Sequence, residues 1–469
     1  MTADALALLP EIVLALGAVV GLCVGSFLPP GREGAVRGVG IVAGLGSAVV
    51  ALTVRGEPTA FGGTFTVDAA TTTVRVVVAL AVVVIMVLAG DRPVSDGPSL
   101  TADVRTAPSS HRTQTAFAVL VQLAAVGAMV LGGASDLLVL AAAVLLAGLP
   151  LAALAGLVRD GRSTEAALKY FLSSALFGLV LLTGVTVLLG LTGATSYSDL
   201  SRVTTPLPAA VAVLLVLAGL LMTIGGVPAH FWVPDAVDGT SPVTGAVLTT
   251  TAKVGGLVAA WRLLVAVPTA AVPWPLLVAV LAVGSMTLGN LAAFAQTSLR
   301  RLLAYSTISQ VGYLLVPVAV AARTPLALPA LLGYLAAYAV TNLAVFAVVA
   351  ARPQALEIAD QRGLGRRHPA LAVALVVGLL GLVGTPPTVV FAGKLAGFTA
   401  AVDGGMTWLA AVAVLNSVAS LVYYLRWIVP VFSPGDPVLR DPLRARAAVV
   451  AVVLAVASVA GGILVAFAG

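Results

Sequence analysis

Runs of apolar residues long enough to cross a bilayer recur along the whole chain, separated by short polar stretches rich in Arg, Asp, Pro and Gly. They fall near residues 5–28, 35–53, 71–90, 114–133, 136–157, 167–191, 208–227, 242–267, 273–295, 302–321, 325–350, 369–400, 407–430 and 446–468. About twenty apolar residues, at ~1.5 Å of helix each, match a hydrocarbon core of ~30 Å. The pattern predicts an all-α polytopic membrane protein with about 14 transmembrane helices. Two spans, the seventh and the twelfth, are interrupted. Gly225-Gly226-Val227-Pro228 ends one and Gly384-Thr385-Pro386-Pro387 divides the other. Proline lacks a backbone N–H and pushes the residue before it out of helix. Non-helical backbone at membrane depth survives only where protein or a wet cavity satisfies its polar groups. Each break therefore predicts a polar interior.

The spacing of the breaks suggests a grouping. Spans four to eight and nine to thirteen form two five-helix units, each with a break near its fourth helix, the placement expected of an inverted repeat. The chain then reads as one membrane domain. Residues 1–113 hold three helices and a polar loop, 114–267 the first unit, 268–430 the second, and 431–469 a C-terminal helix. The connection 91–113 is polar and rich in Pro and Ser, the pattern of a mobile loop. Residues 352–369 read as a short surface helix followed by a basic turn. Both connections face solvent, lipid headgroups or a neighbouring subunit.

Charge fixes the expected orientation. Basic residues crowd the connections after odd-numbered spans, among them Arg32, Arg92, Arg112, Arg159, Arg300 and Arg367. The opposite side holds only Arg55, Arg75, Arg202, Arg262 and Arg323. The positive-inside rule then places both termini outside a bacterial-type inner membrane.

Composition removes other classes. Of 469 residues, 60% are hydrophobic and 9% charged, against about 25% charged in soluble domains. The net charge of +6 comes from basic residues in short loops between spans, so it reads as an orientation signal and says little about nucleic acid. One cysteine, Cys23, and three scattered histidines provide no iron–sulfur, haem or metal framework. There is no glycine-rich phosphate loop. The first apolar run carries Asp4 and Glu11 in place of a basic leader and is long enough to span, so it reads as a retained helix. Chemistry must come from intramembrane ionisable groups or from partner subunits.

Those groups are few. Lys253 lies about eleven residues inside its span, ~16 Å from the nearer interface, beyond the reach of snorkelling. A lysine at that depth is a candidate proton carrier or a pin between helices. Lys394 follows the second break by two helical turns and either carries protons or reaches for the interface. His230, two residues past Pro228, either relays protons or ties freed backbone groups. Glu11 in the first span is a weaker relay candidate. Asp136 reads as a charge at a helix N-terminus, favoured by the helix dipole, and Asp235 and Asp238 as groups that satisfy the broken segment. Ser306, Thr307, Ser309, Gln310 and Tyr313 cluster in the tenth span, to hold a water chain or to back-bond to their own helix.

These residues sit in segments that resemble a known family. LLPEIVLA (8–15), RSTEAALKYFL (162–172), GGVPAHFWVPDA (225–236), SPVTGAVLTTTAKV (241–254), SLRRLLAYSTISQVGYLL (298–315), DQRGLGRRHPALA (360–372), GTPPTVVFAGKL (384–395) and YYLRWIVPVF (423–432) are similar to the N-type antiporter-like membrane subunits of respiratory complex I, NADH-quinone oxidoreductase. The resemblance implies a fourteen-helix scaffold, other complex I membrane subunits as neighbours, and NADH, FMN, iron–sulfur clusters and quinone in partner subunits of the complex. It matches Lys253 and Lys394 to two lysines of a buried charged line. Two family positions differ. Leu145 stands where the family has a glutamate, and Thr223 where it has a lysine. The two lost groups are partners, and a buried lysine without its carboxylate is an uncompensated charge, so their joint loss is coherent.

The expectation is a membrane subunit coupling electron transfer from NADH to quinone with proton translocation, its own proton route altered. Two other classes compete: a cation/proton antiporter subunit, and a structural subunit that does not pump.

Overall fold

The computed structural model describes residues 3–29, 32–53, 59–90, 107–158, 160–203, 205–434 and 443–468. In chain order the helices are α1 (Ala3–Ala7), α2 (Leu9–Phe27), α3 (Gly34–Thr53), α4 (Ala69–Leu88), α5 (Ala107–Gly133), α6 (Leu137–Ala155), α7 (Gly161–Thr192), α8 (Pro206–Ile224) and α9 (Trp232–Asp238). They continue with α10 (Pro242–Ala266), α11 (Trp274–Phe294), α12 (Leu299–Ala319), α13 (Ala327–Ala351), α14 (Leu364–Arg367), α15 (Pro369–Val383), α16 (Val389–Asp403), α17 (Thr407–Phe432) and α18 (Ala445–Ala468). A hairpin of β1 (Thr59–Ala60) and β2 (Phe65–Thr66) precedes α4. Among the described residues thirteen helices are long and apolar enough to cross a membrane. The 15-residue helices α15 and α16 are the two halves of the interrupted span, so the fold has the fourteen crossings that the apolar runs predict.

Local chemistry sets the ends. The side chains of Asp68, Asp136, Asp160, Ser241 and Ser298 accept backbone N–H groups at the starts of α4, α6, α7, α10 and α12. Proline opens α8, α10 and α15, where its missing donor costs nothing. Both breaks turn at a left-handed glycine, Gly225 (φ 72°) and Gly384 (φ 90°), a conformation that penalises any Cβ. Each is followed by a cis X–Pro bond, Val227–Pro228 and Pro386–Pro387.

The two least hydrophobic spans, α10 and α12, occupy the centre. Helices α10, α12 and α13 are almost wholly buried, and the strongly apolar α7 and α18 present most of their surface outward. Lipid rewards apolar surface, so spans carrying polar side chains retreat into the bundle. The last helix closes over the second break. A Cβ on Gly462 would lie 2.0 Å from the Pro387 carbonyl oxygen, so only glycine lets α18 rest on that backbone.

The placement of two arginines changes. Arg75 and Arg262, placed by charge counting at helix ends, are buried. Asp68 starts α4, which carries Arg75 two turns inward onto Glu11. Arg262 donates to the Gly132 carbonyl at 2.7 Å and to Asp68 at 2.5 Å, tying α10 to α4 and α5. Segment 352–369 forms a short 3-10 helix (Ile358–Gln361) followed by the basic turn α14, the two separated by Gly363 at φ 76°. Most of the polar loop, 91–106, lies outside the described residues.

Candidate functional site

Freed carbonyls dictate the chemistry of both breaks. At the first, Gly226 N–H donates to the Leu221 carbonyl at 2.8 Å, and the Trp232 indole donates to that of Met222 at 2.9 Å. Val227 N–H finds Ser285 Oγ on α11 at 3.0 Å. The turn is thus closed by backbone, an indole and a hydroxyl. Lys253 approaches from α10, its Nζ 3.5 Å from where a Cβ on Gly225 would stand. The side chain is wholly buried, and no hydrogen-bond partner for Nζ exists among the described residues. An ammonium there would be a buried charge without compensation. Thr251 Oγ1 and His230 Nδ1 are buried and unpartnered in the same way. His230 is 6% exposed, with its ring against Phe231 at 4.6 Å between centroids.

The second break is closed differently. Lys394 Nζ donates to the carbonyls of Leu382 (3.2 Å) and Val383 (2.9 Å) and to Ser417 Oγ (3.0 Å). The Tyr313 ring faces it at 3.8 Å, in cation–π range. These carbonyls are the last of α15, the negative end of its dipole. Lys394 is 3% exposed, so it folds inward rather than reaching for an interface. The two lysines thus sit at similar breaks in opposite surroundings: among the described residues, one has no acceptor and the other three.

A line of polar side chains runs between them. Thr249, one turn before Lys253, accepts Tyr338 Oη on its carbonyl at 2.9 Å and Asn342 Nδ2 on its hydroxyl at 2.9 Å. Tyr338 Oη meets Thr307 Oγ1 at 3.3 Å. One turn further along α12, Gln310 donates to the Leu382 carbonyl at 2.8 Å and accepts from Tyr334 Oη at 2.6 Å. Ser306 pairs with Tyr424, and Ser309 with Asn290. Of the two readings of the α12 cluster, back-bonding to its own helix is not what these side chains do; their partners lie across the bundle.

The remaining predicted residues lie apart from this line. Glu11 is committed to Arg75 in the N-terminal helices. Asp136 caps α6 as expected, accepting from Leu138 and Val139 N–H. Asp235 and Asp238 do not satisfy the break. Asp235 binds Lys169 at 2.8 Å and faces Arg301 at 3.4 Å, and Asp238 accepts from Ser298 at 2.6 Å, so both tie α9 to neighbouring helices. Thr223 is buried, its hydroxyl donating to the Gly219 carbonyl at 3.0 Å, and Leu145 is 43% exposed on α6. Sequence reasoning did not single out Tyr334, Tyr338, Asn342, Asn290 or Ser417. Their signal was present, since each is a polar residue inside an apolar run.

Residues 134–420 match the family described as NADH:quinone oxidoreductase/Mrp antiporter, transmembrane. The chain is 51% identical over 441 residues to NADH-quinone oxidoreductase subunit N 1 of Streptomyces griseus, covering 93% of this chain and 90% of that one. The chain belongs to this family, in its subunit N branch. It is also 48% identical over 428 residues to subunit N of a Mycobacterium species, covering 90% and 88%. The fold superposes on a chain of respiratory complex I from Thermus thermophilus with bound aureothin, with a TM-score of 0.81, 29% identity and 97% of each chain covered. The matched residues include both breaks and their lysines.

Proposed function

We propose that this chain is the N-type membrane subunit of a bacterial proton-translocating NADH-quinone oxidoreductase, and that its ionisable function resides at the Lys394 break. It carries no redox chemistry. Oxidation of NADH and reduction of quinone, with their FMN and iron–sulfur clusters, belong to partner subunits, and its neighbours are the other membrane subunits of the complex. The distribution of arginines supports both termini on the outer side. In this reading Lys253 and its half of the bundle support the assembly, because Leu145 and Thr223 replace the carboxylate–lysine pair that the family has in that half.

The contrast between the two lysines carries this reading: among the described residues Nζ of Lys394 has three oxygen acceptors, and Nζ of Lys253 has none. The test is proton translocation by the assembled complex in sealed vesicles, expressed as protons moved per quinone reduced. Lys394→Met is expected to lower that ratio. Lys253→Met is expected to leave it unchanged at equal assembly. An equal fall in Lys253→Met would restore Lys253 to the route. No fall in either would make this a structural subunit beside siblings that pump.

A further inference from the structure

Gln310 is 1% exposed at the middle of α12, and both ends of its amide are used. A carbonyl oxygen can only accept, so the contact to Leu382 at 2.8 Å must be made by Nε2, and Oε1 receives the Tyr334 hydroxyl at 2.6 Å. The Leu382 carbonyl is also a seat for Lys394 Nζ, at 3.2 Å. One carbonyl thus takes a neutral donor from α12 and a cationic donor from α16, using both its lone pairs. The same turn of α12 reaches the other break. Val311 Cγ1 lies 3.3 Å from where a Cβ on Gly226 would stand, and Tyr313 presents its ring to Lys394 at 3.8 Å. Within four residues, α12 abuts the backbone of the first break, the freed carbonyl of the second, and the lysine on it.

The buried Tyr334 hydroxyl needs Oε1 as its acceptor, but the Leu382 carbonyl already has Lys394 and does not need Nε2. The amide nonetheless pins that carbonyl through a second donor, and Tyr334 fixes which way the amide points. We propose that Gln310 is a positioning residue for Lys394: it holds the Leu382 carbonyl at the place where the ammonium docks, and Tyr334 orients it to do so. This rests on the reading that Lys394 is the ionisable element of the chain, and it adds the residue that sets the geometry of that element. Gln310 moves no proton itself.

The test uses the assembled complex carrying Gln310→Met, which keeps length and volume and removes both hydrogen bonds. In a high-resolution cryo-EM map, Lys394 Nζ is expected to leave hydrogen-bond reach of the Leu382 carbonyl. The protons moved per quinone are expected to fall about as far as in Lys394→Met. The double variant is expected to be no worse than Lys394→Met alone, since residues acting through one group do not add. A purely structural role would instead give additive losses. If Gln310→Met does not assemble, Tyr334→Phe removes only the orienting donor and is expected to show a smaller displacement of the same carbonyl. An unchanged seat for Lys394 overturns the proposal, whatever pumping does. If Lys394→Met itself leaves the ratio unchanged, the functional reading fails, and the position of Nζ in Gln310→Met still decides the role of Gln310.

Discussion

Arg75 on α4 grips Glu11 on α2 through two hydrogen bonds, Nε to Oε1 at 2.7 Å and Nη2 to Oε2 at 2.8 Å, with both side chains buried. Nη2 also donates to the Ala7 carbonyl at 2.7 Å, and the Phe65 ring lies 5.4 Å from the guanidinium. Breaking a buried pair by removing one partner costs about 3–5 kcal/mol, whereas replacing both by apolar groups is often neutral. Glu11→Leu and Arg75→Met alone are therefore expected to lower the amount and thermal stability of the assembled subunit. Glu11→Leu/Arg75→Met is expected to be more stable than either single variant and to keep the protons moved per quinone. A lower ratio in the stable double variant would return Glu11 to the list of proton carriers.

Thr223 Cγ2 lies 3.5 Å from where a Cβ on Gly256 would stand, less than one turn from Lys253 on α10. Thr223→Lys places a second buried amine against an uncompensated first. We expect a marked loss of assembled complex, visible on blue-native gels. Normal assembly would mean that an acceptor reaches this place from a neighbouring subunit.

The contact between α18 and the second break leaves no room for a methyl group, with 2.0 Å from a Gly462 Cβ to the Pro387 carbonyl oxygen. Overpacking of this kind costs typically about 1–3 kcal/mol. Gly462→Ala is expected to lower the melting temperature of the complex and to displace the Pro386–Pro387 turn in a cryo-EM map. A wild-type melting curve would show that α18 yields freely.

Asp68 lies outside the spans and bonds Arg262 at 2.5 Å. Burial, the largest single influence, raises its pKa; the Arg262 charge, the Arg262 hydrogen bond and the bonds from Thr71 together outweigh burial and hold it below the ordinary value. A depressed carboxyl contributes stability that is complete above its unfolded pKa, ~3.9, and is lost as pH falls through the folded value. The tie between α4 and α10 is thus expected to be constant at neutral pH and to weaken only below about pH 4. Melting temperature against pH should fall less steeply at its acid end in Asp68→Asn than in wild type. Identical acid limbs would mean that other carboxylates dominate.

Much of this was legible in the chain. Span count followed from apolar length, and both breaks from Gly and Pro at membrane depth, because those signals act within a few residues. The cap at Asp136 was readable for the same reason. The partners of Glu11 and Asp235 were not, since Arg75 and Lys169 are each more than sixty residues away in sequence. Charge counting misplaced Arg75 because it assumes that an arginine beside an apolar run stays wet, and a carboxylate from another helix removes that need. The different surroundings of Lys253 and Lys394 were equally hidden. They depend on whether the freed carbonyls of a break are taken by an indole or left to the lysine.

Leucine at position 145 bears on how the chain is made. Its side chain is 43% exposed on α6, flanked on the same outward face by Leu138 and Leu149. A carboxylate here would have to meet a shielding neighbour before the helix could rest in hydrocarbon. Leucine lifts that condition. Once inserted, α6 is at home in bare lipid, so the biogenesis of this subunit need not wait at that face for the subunit beside it.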